Sequence, residues 1–466
     1  MQVPTRKHHL SPVPCDLSPT QVMRSIAIVG SGIAGLVAAH ALRRAGQDVT
    51  IYTDRSAEQW LHESRPTGTA ARFDDALSFE RQLGLNHWDD VAPRGEGVFL
   101  TFCPTLHKPL VTMLGRCARP FQAVDLRLQC ARWLNGFGGH IVHESVTVER
   151  LDAIAGQHEL TIVAAGRAEL SRLFARDEAR SAYREPQRNL AMIITVGGPD
   201  RFPDLPLLPV KFDFLGTDGE IFFIPYWHKD HGRSWNILVE AKPGSRMDRF
   251  ANVRTGEEAV AAVKQVIAEL FPWDAPFVRD MELADPLGWL TGAVTPAVRN
   301  PVARLASGRI VTALGDTAIS YDPIAAQGAN NGIKQARQLV FDILDHGKLP
   351  FDAAWMQRSF ETFWREHASY AAEFSSLLLE PLTAPAKELL IAQYGSDGRI
   401  DNAGGAQRIA NAFFENFNDP ASLTPALTDM RLARETIARM SRQPWLWNAI
   451  RGRAAIARDQ LRARAA

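Results

Sequence analysis

Cysteine is scarce in this chain. The four present, Cys15, Cys103, Cys117 and Cys130, form no C-x-x-C pair and no metal-ligand spacing. That excludes a disulfide framework and reads as reduced thiols in a cytoplasmic protein. No charge of either sign dominates: 52 Lys plus Arg balance 52 Asp plus Glu. Electrostatic attraction to nucleic acid or to an anionic membrane is thereby excluded. Apolar runs are short, the longest candidate being Ile26–Leu42, and glycines break it; a membrane span needs about 20 residues. Met1–Met23 holds four prolines and the pair His8–His9 but no apolar core of signal-peptide length, so it reads as a disordered extension. No internal repeat, Ser-His-Asp set or carboxylate pair is evident.

What is present is an ordinary globular composition, 46% hydrophobic and 22% charged over 466 residues, enough for two or three domains. The most informative stretch is Ser25–Arg55. Ser25–Val29 is a short apolar run suited to a strand buried on both faces. Gly30, Gly32 and Gly35 then spell G-x-G-x-x-G, Ile33–Arg44 has helical periodicity, and Val49–Tyr52 is a second strand. Gly30 suits the tight turn, Gly32 the approach of a pyrophosphate, and Gly35 close helix–strand packing. Ile33 and Ala34 open the helix whose free N–H groups would face the phosphates. The acid expected to hold the ribose falls near Thr53, with Asp54 and Arg55 just beyond. The fingerprint therefore specifies an adenine dinucleotide, FAD or NAD.

Further along, Ser64–Trp88 reads as a loop and then a helix around Ala76–Leu83, and Phe99–Val111 alternates like a strand. Val124–Leu134 is an amphipathic helix with Arg127 near its start, and Leu160–Gly166 is another buried strand. From Pro186 the pattern becomes that of an antiparallel sheet rich in aromatics, Phe212, Phe214, Phe222, Phe223, Tyr226 and Trp227 among them. Arg309–Leu314 is a buried strand running into Gly315–Asp316. Pro323–Asn331 reads as a second glycine-rich turn, and Ile333–Leu344 as the helix it feeds. Residues after Pro350 read as helical. The resulting organisation is an extension (1–23), a Rossmann-like α/β domain in two parts (24–185 and 292–346), an inserted antiparallel β substrate domain (186–291) and a C-terminal helical cap (347–466).

The order of these pieces resembles the FAD-dependent aromatic hydroxylases. More closely, the chain resembles the styrene and indole monooxygenases, the oxygenase components of two-component flavoprotein systems. The residues that carry the resemblance are DVTIYTDR (48–55), GLNHW (84–88), VDLRL (124–128), EPQR (185–188), GAVTPAVR (292–299), LGD (314–316), DPIAAQGANN (322–331) and FFENFNDP (413–420). The resemblance implies FAD contacts at Gly30, Gly32, Ile33, Ala34, Gly35, Asp54, Arg55, Arg127, Asp316, Pro323, Gln327, Gly328, Ala329 and Asn330. It implies that the loop Arg65–Thr69 borders the reactive face of the flavin, with Thr67 and Gly68 closer to the indole-type pattern. Gln327 and Gly328 then act beside the ring through backbone N–H groups, and Phe222 and Tyr226 wall the substrate pocket.

The activity so implied is transfer of one oxygen atom from O2 to a small aromatic substrate by epoxidation or sulfoxidation through a flavin hydroperoxide. FAD arrives as FADH2 from a separate NAD(P)H-flavin reductase, and a homodimer is left open. Single-component hydroxylases carry Asp-Gly after the middle strand, whereas this strand ends Ala165-Gly166, although Ser171 and Arg172 remain. No second G-x-G-x-x-G exists to hold a nicotinamide. The competing readings are a self-sufficient NAD(P)H hydroxylase and a non-catalytic flavin-binding module.

Overall fold

The structure is a computed structural model; it describes residues 17, 22–69, 71–103, 111–166, 168–399 and 404–465. Most of the expected N-terminal extension, including Cys15, His8 and His9, lies outside the described residues.

Ser25–Val29 (β1), Ile33–Arg44 (α1) and Asp48–Thr53 (β2) form the strand–helix–strand unit. β1 is fully enclosed at Ile26, Ala27 and Ile28, which is what a short apolar run between two helical layers requires. After Asp74–Leu83 (α2), the chain leaves this unit as Gly95–Cys103 (β3) and Val111–Ala123 (β4). It returns through Leu126–Asn135 (α3), His140–His143 (β5) and Leu160–Val163 (β6). Four longer strands follow: Asn189–Val196 (β7), Pro209–Leu215 (β8), Gly219–His228 (β9) and Gly232–Ala241 (β10). The helix Gly256–Leu270 (α4) precedes Trp289–Ala293 (β11), Val302–Arg304 (β12) and Ile310–Ala313 (β13). Gln327–Asp345 (α5) then leads into the helices that occupy Ala353–Ala465.

The first sheet runs β12-β13-β6-β1-β2-β5 and is parallel except at the β12 edge. The second runs β7-β10-β9-β8-β3-β4, with β11 also on β7. Two expectations are corrected here. The second sheet is mixed rather than antiparallel, because β3 pairs parallel with β8. It also recruits β3 and β4 from before residue 186, so the region 24–185 contributes to both sheets. The second correction concerns Pro323–Asn331. Only Pro323–Ala325 is a turn, and Gln327 already begins α5.

Alternation gives the second sheet two different faces. Ile221, Phe223, Ile237 and Val239 point outward and are covered by Val263 and Ile267 of α4. Phe222, Ile224, Tyr226 and Leu238 point inward, toward Ile324 and Ala325 and toward C-terminal rings such as Phe414. On this inner face the Phe212 ring lies 3.8 Å from Phe222 and 4.0 Å from Phe214, which stacks on Phe102 at 4.8 Å. Phe212 is 1% exposed at the centre of that row. Replacing it by Ala removes a ring that its neighbours cannot refill, at a cost of about 3–5 kcal/mol. The expected result is a lower thermal midpoint, measured by circular dichroism, with the fold retained.

Candidate active site

β1 delivers the chain to Gly30, whose φ is +117° and whose Cβ would lie 2.5 Å from the Ala164 carbonyl oxygen. Only glycine fits there. A Cβ at Gly35 would lie 2.6 Å from the Gly30 carbonyl, so α1 presses directly on the turn. Gly32 is different: nothing lies within 4 Å of where its Cβ would be. It caps α1 without any side-chain hydrogen bond, and the first turn of α1 carries no acid. The free N–H groups around Ile33 and Ala34 therefore open onto space, an anion cradle at the positive end of a helix.

Thr53 occupies the place of the usual acid because it braces this turn. Its hydroxyl lies 2.6 Å from that of Ser31, which also accepts from the Trp60 indole at 3.0 Å. Asp54 and Arg55 stand beyond it, about one-third exposed, with the guanidinium 4.6 Å over the Trp60 ring.

The start of α5 comes to the same place. Gly315 has φ +63°, and its Cβ would sit 3.0 Å from the Ala34 Cβ; at Gly332 the corresponding distance is 3.2 Å. Asp322 accepts from the Ile324 N–H at 3.1 Å, and Ala326 is left-handed at φ 51°. The Gln327 amide donates to the carbonyls of Ala325 at 2.7 Å and Phe417 at 3.0 Å. Asn330 accepts from the Phe73 N–H at 2.9 Å and donates to Ala71 O and Ala326 O. Both side chains are thus spent inside the protein, and what they present is the backbone of Gln327, Gly328, Ala329 and Asn330 at a helix start. Asp316 is open to solvent yet surrounded by protein, which raises its carboxyl pKa. Such a group lies in a cleft, and its Oδ1 is 3.7 Å from where a Gly328 Cβ would be. Two uncapped helix starts, the space at Gly32 and the Asp316 cleft fit one extended dinucleotide.

The loop with Thr67 and Gly68 is tied down by Arg65, which donates to Trp289 O at 2.8 Å and lies 4.2 Å over that ring. Thr67 is exposed, and nothing crowds Gly68. Phe222 and Tyr226 share the inner face but are core residues, at 5% and 0% exposure.

Arg127 is a correction. Its guanidinium is wholly buried and committed to carboxylates of its own chain, Asp125 at 2.7 Å and Asp285 at 2.7 Å, with His228 alongside. Burial opposes charge on Asp285, but the hydrogen bonds from His228 and Arg127 prevail and hold its pKa well below the usual range. A guanidinium so engaged has no fork left for a phosphate.

Sequence reasoning missed a second buried cluster. Arg188 binds Glu220 through two bonds of 2.7 and 3.0 Å and donates to Leu379 O at 3.0 Å. Glu240 lies directly across from Glu220 in the β9–β10 register. Burial, then repulsion from Asp322 and Glu220, raises the Glu240 pKa well above its ordinary value; burial also raises those of Glu220 and Asp322. One guanidinium faces three carboxyls, so the cluster retains protons beside the residue that caps the Pro323 turn. The available signal was a charged residue at an inward position of an apolar strand. Asn236, buried on the same face, was missed likewise.

Comparison with known proteins bears on this geometry. Residues 166–276 match the family model described as "Styrene monooxygenase A putative substrate binding domain", and residues 28–57 match that of an NAD(P)-binding Rossmann-like domain. Styrene monooxygenase StyA of Pseudomonas fluorescens is 27% identical over 408 residues, 85% of this chain and 93% of that one. Over most of its length the chain is similar to the styrene monooxygenase oxygenases. It is a flavin-dependent monooxygenase, and its cofactor is FAD. The same fold occurs in a flavoprotein/dehydrogenase from Cytophaga hutchinsonii, at TM-score 0.59 and 13% identity over 87% of this chain and 99% of that one. It occurs also in the flavin-dependent brominase Bmp2, at TM-score 0.56 and 14% identity over 87% and 98%.

Two outcomes test the site. Gly32→Val should fold with an unchanged melting midpoint in the absence of FAD but lose at least about 100-fold in FAD affinity, measured by fluorescence titration, whereas Gly30→Ala should fail to fold. For the carboxyl cluster, raised folded pKa values mean that the native state binds more protons than the unfolded chain, so stability falls as pH rises above about 4.3. Glu240→Gln should match the wild-type melting midpoint at pH 4 and exceed it at pH 8.

Proposed function

We propose that the protein inserts one oxygen atom of O2 into a small aromatic substrate, epoxidising a styrene- or indole-like alkene or oxidising a sulfide. The reduced FAD it uses comes from a separate NAD(P)H-flavin reductase. The observation that carries this reading is a single dinucleotide cradle beside an apolar, aromatic sheet face. Among the described residues only one G-x-G-x-x-G turn meets a helix start, which leaves a nicotinamide without a second cradle.

FAD, once bound and reduced, supplies the oxygen activation. The chain supplies position and dryness. Gly30, Gly32 and Gly35 with Ile33 and Ala34 would seat the pyrophosphate, Asp54 and Arg55 would serve the ribose, and Asp316 would bond the sugar chain. Backbone N–H groups from Gln327 to Asn330, next to Pro323, would stabilise negative charge on the ring as an oxyanion hole does. Thr67 and Gly68 border the reacting face. The inner face of the 186–291 region, Phe222 and Tyr226 included, would form the substrate wall. An apolar pocket, partly open to solvent, lies at the far end of the phenylalanine row, lined by Phe102, Met113, Leu378, Leu389 and Phe413. Its walls suit an apolar ring on its way in.

The decisive assay supplies photoreduced FAD and air to the purified chain with a panel of indoles, styrenes and thioanisoles. Oxygenated product is expected from at least one class. Steady NADPH oxidation by the chain plus FAD alone would overturn the two-component reading in favour of a self-sufficient hydroxylase. No product from any class would favour a non-catalytic flavin-binding module.

A further inference from the structure

The inner face of the second sheet is apolar at its centre except at Asn236 and at the Tyr226 hydroxyl. Asn236 sits mid-strand on β10 between Ile224 of β9 and Ile194 of β7, its direct neighbours in register. It is 0% exposed. Neither its Oδ1 nor its Nδ2 has a hydrogen-bond partner among the described residues. An amide enclosed by isoleucines and left unpaired costs stability without return, unless something outside the chain's own side chains engages it.

Its position says what that something is. Period-two alternation puts Leu238 and Glu240 on the same face as Asn236. Leu238 packs in the cluster that contains Ile324 and Ala325 of the cofactor turn, along with Phe222 and Ile224. Glu240 is electrostatically coupled to Asp322, one residue before that turn. Asn236 is thus one inward position beyond Leu238, about 7 Å further along the strand, on the face whose apolar cluster includes that turn.

We propose that Asn236 is a specificity-determining residue that hydrogen-bonds a ring N–H or O–H of the substrate. It thereby selects aromatics that carry one donor over hydrocarbons of the same shape. This rests on the reading above that the inner face holds the aromatic substrate. The amide oxygen accepts from the donor while the flanking isoleucines hold the ring plane. A hydrocarbon in the same place leaves both amide atoms unpaired, and sites built to bond a polar group discriminate strongly against analogues that lack it.

The test compares indole with indene, which has the same bicyclic shape and no N–H, in wild type, Asn236→Leu and Asn236→Ala, each loaded with FAD. The second variant serves if leucine overfills the site. The expected result is that kcat/KM for indole falls about tenfold or more while that for indene holds or rises, so the indole-to-indene ratio collapses. The melting midpoint of Asn236→Leu should not fall, because an unpaired buried amide has been removed. An unchanged ratio in a folded variant overturns the inference and leaves Asn236 as the host of an internal water. Should the wild type oxygenate neither compound, the proposed function fails. The inference is then decided by equilibrium dialysis of the same two compounds against the same three proteins, with the same ratio as readout.

Discussion

Ala34 is held between two glycines. Its methyl group lies so close to Gly315 and Gly332 that a side chain at either would sit 3.0 to 3.2 Å away. Two helices from opposite ends of the α/β region therefore begin at one spot, and the rest of the architecture serves that convergence. Gly30 and Gly35 bring α1 down on β1, while β13 and β6 place Gly315 alongside. The uncapped N–H groups of α1 and α5 are consequently presented together. Neither helix start alone would distinguish a nucleotide from any other anion. Together, with the space at Gly32 and the Asp316 cleft between them, they match the two polar halves of one cofactor.

How much of this could be read from residues depends on how local each cause is. The β1–α1–β2 unit was legible because apolar periodicity and glycine sterics act within about 30 residues. The start of α5 was not. Two glycines and two asparagines argue against a helix, and the helix forms there because Asn330 and Gln327 are anchored to Ala71, Phe73 and Phe417, far away in sequence. The strand pattern at Phe99–Val111 falls to the first domain because strand character is local while the choice of sheet is not, and β4, with Gly115 and Pro120 inside it, gives no such pattern. Arg127 has the look of a phosphate ligand in sequence; only the fold brings Asp285 to it, 158 residues later. Thr53 shows the converse. Its departure from the usual acid was visible, and the reason, a bond to Ser31 across the turn, was not.

Buried charge is distributed on the second sheet in a way that bears on catalysis. A buried ion pair is weak evidence for stability, so its placement calls for another explanation. The two groups lie at opposite ends of the inner face of β9: Glu220 with Arg188 at one, His228 with Arg127, Asp125 and Asp285 at the other. In each group the guanidinium is met by carboxylates, so neither arginine reaches into the space between. At the Gly30 turn and at the start of α5 the positive end is supplied instead by backbone N–H groups.

Between those ends, inward positions from Phe222 to Tyr226 span about 14 Å of strand. That band is long enough for a one- or two-ring aromatic and is walled by Ile224, Leu238, Met192 and Ile194. Charged groups at its ends attract water, and the apolar band repels it. Under the proposed function, that division would keep water from the reduced cofactor while an apolar substrate enters. A row of phenylalanines runs along this face from Phe222 to Phe102. Under the proposed function, selectivity and dryness would have one origin: a face on which the Asn236 amide and the Tyr226 hydroxyl interrupt an otherwise apolar surface.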